Sequence, residues 1–152
     1  RAKPEVWQTL IDAREAGLAR AIGVSNYSVA QIDELIDACG VAPAVNQILW
    51  YVERYDPAVL AAHAERGVVL EGYSPFKHTR MMAPPLFRAA ITHGKTPHQV
   101  VLRWHLQHEI PVIPKSSHPD RIAVNFDVFD FTLSEAEMRA IDGLGKGRGW
   151  QR

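Results

Sequence analysis

Apolar residues recur at helical spacing in Val6, Trp7, Leu10 and Ile11, behind Pro4 at a first-turn position and ahead of Gly17. The spacing predicts a helix over 4–16. The stretch ARAIGVSN is a short apolar run of strand character, and SVAQIDELIDACG returns to the helical period. In that second helix Ser28 and Gln31 have capping-box spacing and Gly40 fits a C-terminal stop. PAVNQILW reads as a strand, followed by Asp56 as N-cap, Pro57 in the first turn and VLAAHAER closed by Gly67. VVLEGYS is a third strand, with helical LFRAAITHG and PHQVVLRWHLQH after it, the latter opened by Thr96 and Pro97. VIPKS is a fourth strand and PDRIAVNF a helix; a last helix starts at Ser134, where Ser134 and Glu137 form another capping box ahead of Met138, Ile141 and Leu144.

Four short strands, each followed by a helix, imply parallel pairing, because a helical crossover brings the chain back to the same end of the sheet. The fold class is therefore α/β. A doubly wound sheet would carry GxGxxG after its first strand, where this chain has GVSNYS, so a barrel-type layout is expected instead.

Composition narrows the partners. The 152 residues, 47% of them hydrophobic, suffice for one domain with a core. Seventeen basic residues balance seventeen acidic ones with no run of like charge, which argues against nucleic acid or a membrane surface and for a small molecule. The single cysteine, Cys39, forms no internal disulfide and reads as inert packing at a helix end, and the expected compartment is the cytoplasm. The chain starts at Arg1 rather than Met and is helical four residues later, from which a missing upstream segment is expected.

Every strand ends on groups able to make directed hydrogen bonds: Ser25 and Asn26, Asn46 and Gln47, Tyr73 and Ser74, Lys115 and Ser116. In a parallel barrel the C-terminal strand ends share one rim, so these residues are expected to line a single pocket. Asn26 and Gln47 suit a neutral carboxamide, and Tyr73 offers a flat face to a ring. Lys115, Ser116 and Arg121 suit phosphate, helped by the helix opening near Pro119. A carboxamide, a flat ring and phosphates describe a nicotinamide dinucleotide, and Arg121 favours the 2′-phosphorylated form; a lone arginine there could otherwise be a solvated helix charge.

The series IGVSN, AVNQ, GYSP and VIPKS, with Arg121, Asn125 and the late FDFTLSEAEM, resembles the C-terminal half of the aldo-keto reductases over nearly the whole chain. The resemblance implies an eight-stranded (β/α)8 TIM-type barrel, with residues 1–152 forming its last four β/α units as a single structural unit, a half-barrel. It implies that Ser25, Asn26 and Gln47 hold the nicotinamide carboxamide, Tyr73 stacks on the ring, Ser74 nears the pyrophosphate, Lys115, Ser116 and Arg121 meet the 2′-phosphate and Asn125 the adenine. The cofactor implied is NADPH and the substrate a small aldehyde or ketone.

The family's catalytic Asp, Tyr, Lys and His belong to its first half, so no catalytic residue is assigned to this chain. Val124 stands where the family often has an acidic or amide residue. In ILWYVERYDP, Trp50 and Tyr51 either border the substrate mouth or pack under the next helix, and Lys77 either assists phosphate or faces water. Trp150, in the tail GKGRGWQR, either closes over substrate or frays. His105 and His108 share a helical face without a third ligand, HExxH is absent and no metal site is expected; GxSxG is absent as well. Four strands cut from a barrel leave two unpaired edges and an inner face to be covered, by a missing N-terminal half or by a second copy. The alternative reading is a truncated, non-catalytic module that binds a dinucleotide or a partner protein.

Overall fold

The computed structural model describes residues 2–145. Along the chain run α1 (Pro4–Glu15), β1 (Gly23–Ser25), α2 (Val29–Cys39), β2 (Val45–Leu49), a 3-10 turn (Val52–Arg54), α3 (Pro57–Ala64), β3 (Val69–Tyr73), α4 (Pro84–His93), α5 (Pro97–Gln107), β4 (Val112–Ile113), α6 (Pro119–Phe126) and α7 (Glu135–Asp142). The strands form one four-stranded sheet in the order β1-β2-β3-β4. Gly23 to Ser25 run parallel to Val45 to Gln47, and Gly72 and Tyr73 run parallel to Val112 and Ile113. The strand-helix alternation read from the sequence is present, with shorter strands than expected. VIPKS contributes only Val112–Ile113; the next residue, Pro114, has no N–H to extend a ladder. β1 stops at Ser25 because Asn26 turns into the left-handed region at φ 58°.

Local signals set the helix ends. Ser28 with Gln31, Thr96 with Gln99 and Ser134 with Glu137 all form reciprocal capping boxes. The middle one goes beyond the expected opening by Thr96 and Pro97, because Gln99 closes it. α2 ends on Gly40, whose φ of 72° costs a glycine little and whose N–H donates to Ile36 O.

The described residues fall into two compact units, one containing those up to Ile48 with Pro57–Glu71, the other Leu49–Asp56 with those from Gly72 on. In the first unit Trp7 and Ile11 of α1 pack with Ile22 and Leu35. The Trp7 indole N–H donates to Val41 O at 2.9 Å, so this large side chain is buried without orphaning its donor. Cys39 packs partly buried against the same cluster, its Sγ 3.6 Å from Pro4 O. Arg66 grips Asp33 with Nε and Nη2 at 2.5 and 3.0 Å, and that bond holds the Asp33 carboxyl below its ordinary range.

The glycine of IGVSN has a steric reason. A Cβ at Gly23 would lie 2.4 Å from Val45 Cγ1 and 2.7 Å from Val45 O, so β1 and β2 reach their register only if position 23 carries no side chain. Gly23→Ala is expected to cost about 2 kcal/mol of stability, measured as a lower urea midpoint. An unchanged midpoint would show that the strands separate there at no cost.

The second unit is organised around α5, which buries Gln99, Val100, Val101, Leu102, Trp104 and His105. The Trp104 indole donates to Asp142 Oδ1 at 2.8 Å, and His108 Nε2 lies 2.8 Å from the same oxygen, tying α5 to α7. Lys95 bridges Asp127 and Asp130 at 2.9 and 2.8 Å. Trp50 is fully buried, edge-on to Tyr55 at 6.5 Å, so packing rather than a substrate mouth accounts for it. Tyr51 lies half-buried against His78, the ring centroids 5.2 Å apart. Trp150 lies outside the described residues.

Candidate functional site

In the first unit, Ser25, Asn26 and Gln47 meet at the C-terminal ends of β1 and β2. Gln47 O accepts the Ser25 hydroxyl at 2.9 Å and the Asn26 backbone N–H at 3.0 Å. Asn26 Nδ2 donates to Ser25 Oγ at 3.2 Å, which orders the two side chains relative to each other. Ser25 and Asn26 are exposed and Gln47 is half-buried. The Gln47 amide donates from Nε2 to Glu71 Oε1 at 2.5 Å.

Asn46 departs from the shared pocket expected of the strand ends. It is fully buried, its Nδ2 donating to Tyr27 O at 2.8 Å and its Oδ1 accepting Tyr27 N–H at 3.3 Å. Nδ2 also lies 3.0 Å from His63 Nε2. His63 Nδ1 sits 2.7 Å from Val59 O, which fixes the proton on Nδ1 and leaves Nε2 to accept from Asn46. Burial lowers the His63 pKa, in agreement with a neutral ring in this network. Neighbouring strand residues face opposite ways, so Gln47 reaches the site while Asn46 holds the loop after β1.

In the second unit, Tyr73 is the half-buried last residue of β3, and its carbonyl accepts Trp50 N–H at 3.3 Å. Ser74 follows at φ 53°, and its carbonyl accepts Lys77 N–H at 3.2 Å. A non-glycine residue in the left-handed region is uncommon, yet Asn26 and Ser74 both adopt it directly after a strand, which re-aims the chain at two strand ends.

Lys115, Ser116, Arg121 and Asn125 come together around a cavity of about 650 Å³. Lys115 and Ser116 belong to the loop after β4; Arg121 and Asn125 lie four residues apart on α6 and so share a helix face. Ser116 Oγ accepts His118 N–H at 3.1 Å, shaping the entry to α6. No side-chain hydrogen bond caps α6, which leaves first-turn amides without an internal acceptor, and His118, Asp120 and Arg121 from this opening line the cavity. Phe76 and His98 form part of the wall, ring centroids 4.8 Å apart. Burial and, secondarily, the nearby Arg121 lower the His98 pKa. Val124 lines the cavity beside Asn125 and adds no polar group there, whereas Asp120 brings a carboxylate. Neither Tyr73 nor Ser74 lines it.

Three residues escaped the sequence reading. Glu71 was visible as the one charge inside VVLEGYS, at even spacing from Tyr73 and so on its face of β3. His98 and His118 carried no local signal, since they reach the cavity through packing of the α5 and α6 openings. Among the described residues no group of three or more His, Cys, Asp or Glu is placed to hold a metal ion. His105 Nδ1 lies 2.7 Å from Val101 O, and His108 pairs with Asp142. No helix among the described residues is long and apolar enough to cross a membrane.

Parallel strands alternating with helices, with amide and hydroxyl side chains at the C-terminal strand ends, define a protein of the parallel β/α class. The Aldo/keto reductase family model matches residues 2–146, and the chain belongs to that family. It is 45% identical over 148 residues to the 2,5-diketo-D-gluconic acid reductase B of Corynebacterium sp. (strain SHS752001), covering 96% of this chain and 53% of that protein. It is 43% identical over 146 residues to the morphine 6-dehydrogenase of Pseudomonas putida, covering 86% and 49%. The crystal structure of a Bombyx mori aldo-keto reductase in complex with NADP superposes with a TM-score of 0.87 at 34% identity, covering 95% of this chain and 51% of that one. The chain thus spans about half the length of the curated relatives it matches, and its four strands are a portion of a (β/α) barrel.

Proposed function

We propose that residues 1–152 are the cofactor-binding half of an NADPH-dependent aldo-keto reductase that converts small aldehydes or ketones to alcohols. The observation that carries this is the cavity lined by Lys115, Ser116, Arg121 and Asn125 at the opening of α6, on a chain of this family. Its chemistry fits a phosphorylated adenosine: a guanidinium and an ammonium for the phosphate, a hydroxyl and backbone amides beside them, and an amide for the base. The reading gives the nicotinamide carboxamide to Ser25, Asn26 and Gln47, the ring face to Tyr73 and the pyrophosphate to Ser74. Bound NADPH supplies the hydride; these residues bind and orient it, and contribute no proton donor. The reading places the acid outside residues 1–152, in the family's other half, so this chain alone is inactive.

The four tryptophans allow a direct test by fluorescence titration of the chain with NADPH and NADH, with the intact mass recorded on the same sample. Saturable binding of NADPH is the expected result, and no response to either dinucleotide would overturn the reading. Tyr73→Ala is expected to weaken both cofactors alike by about tenfold, the loss of one stacking face. Unchanged affinities would remove Tyr73 from the site.

A further inference from the structure

Glu71 stands on a strand otherwise made of Val69, Leu70, Gly72 and Tyr73, half-buried, where a carboxylate is costly unless it is paired. Its partner is Gln47, whose Nε2 lies 2.5 Å from Oε1 of Glu71. A glutamine amide is nearly the same shape after a half-turn about its last bond, so its own packing does not decide which end faces a ligand. An ionised carboxylate does decide it, because it accepts hydrogen bonds and donates none. Glu71 therefore draws the NH2 end to itself and leaves Oε1 as the end available to a ligand.

We propose that Glu71 is a positioning residue that sets the polarity of Gln47, so that the site selects a ring bearing a primary carboxamide. A carboxamide brings the N–H that Oε1 requires. An acetyl group in the same place brings a methyl, and a carboxylate brings a second acceptor to an acceptor. The proposal rests on the dinucleotide reading above and adds a residue and a selection rule to it.

The test compares NADPH with its 3-acetylpyridine analogue, by fluorescence titration of the wild-type chain and of Glu71→Gln. The wild type is expected to prefer the carboxamide by about tenfold, the size of one hydrogen bond in a partly buried site. In Glu71→Gln, where either end of Gln47 can face the ligand, the preference is expected to fall to about twofold or less. A variant that merely loosens the fold weakens both ligands equally and leaves the ratio in place, so an unchanged ratio overturns the role of Glu71 while the dinucleotide reading stands. Absence of binding by either protein overturns both. A ligand-free measurement covers a variant that does not fold: in the wild-type chain one of the two Gln47 side-chain N–H signals in a 1H–15N spectrum is expected to lie well downfield of its partner, as the hydrogen bond to Glu71 requires. Two Gln47 N–H signals at the ordinary positions of a free side-chain amide overturn the proposal by themselves.

Discussion

Alanine in place of Arg121 is expected to reduce affinity for NADPH by about thirtyfold and to leave NADH within about twofold. A guanidinium bound to phosphate through two parallel N–H donors is worth about 2 kcal/mol net, and NADH has no 2′-phosphate to receive it. Arg121 is exposed on α6, an element without a buried residue, so its removal costs little stability and the effect is read cleanly as binding. Lys115 and Ser116 remain in the variant and keep a residual preference for the phosphorylated form. Parallel titrations with the two cofactors at fixed salt make the measurement, since phosphate contacts weaken as ionic strength rises. Equal losses for NADPH and NADH would end the assignment of Arg121 to the 2′-phosphate.

Acid is expected to destabilise the chain well above the range in which its carboxylates titrate. His105 is completely buried, and that burial pushes its pKa down from about 6.5 to about 4. The folded state therefore holds the neutral ring while the unfolded chain takes up a proton once the pH passes below about 6.5. Stability is full above that value and falls as the pH drops toward about 4, by about 1.4 kcal/mol per unit and roughly 3 kcal/mol in all. His63 is shifted in the same direction, chiefly by burial, and steepens the decline. Urea midpoints at pH 7.5 and 4.5 measure it, with His105→Gln as the control that should flatten the difference. An equal decline in that variant would move the origin to other groups.

Which parts of this architecture the sequence announced follows from the range of the signals. Capping boxes span four residues and C-terminal glycines one, so Ser28, Gln31, Ser134, Glu137 and Gly40 were readable one helix at a time. β4 is shorter than the run VIPKS suggests, because apolar character continues through Pro114 while the ladder ends for want of its N–H. Asn46 was expected beside Gln47 although a strand turns adjacent residues to opposite faces, and that alternation was available from the sequence. Glu71 could be seen as an anomaly but not interpreted, because its meaning lies in a hydrogen bond to a residue 24 positions away, and no local pattern encodes such a pair. The same holds for His98, whose neighbours Phe76 and Arg121 come from other segments.

The neighbour order β1-β2-β3-β4 means that every strand pairs with the next one made. Ser25 finds Gln47 after only 22 residues, with α2 filling the interval. Loop-closure entropy grows only with the logarithm of length, and helices form far faster than a ribosome elongates. The first strand pair can thus close while β4 is still being synthesised. Within this sheet each pairing therefore joins strands that are neighbours in the sequence, which keeps every loop that has to close short.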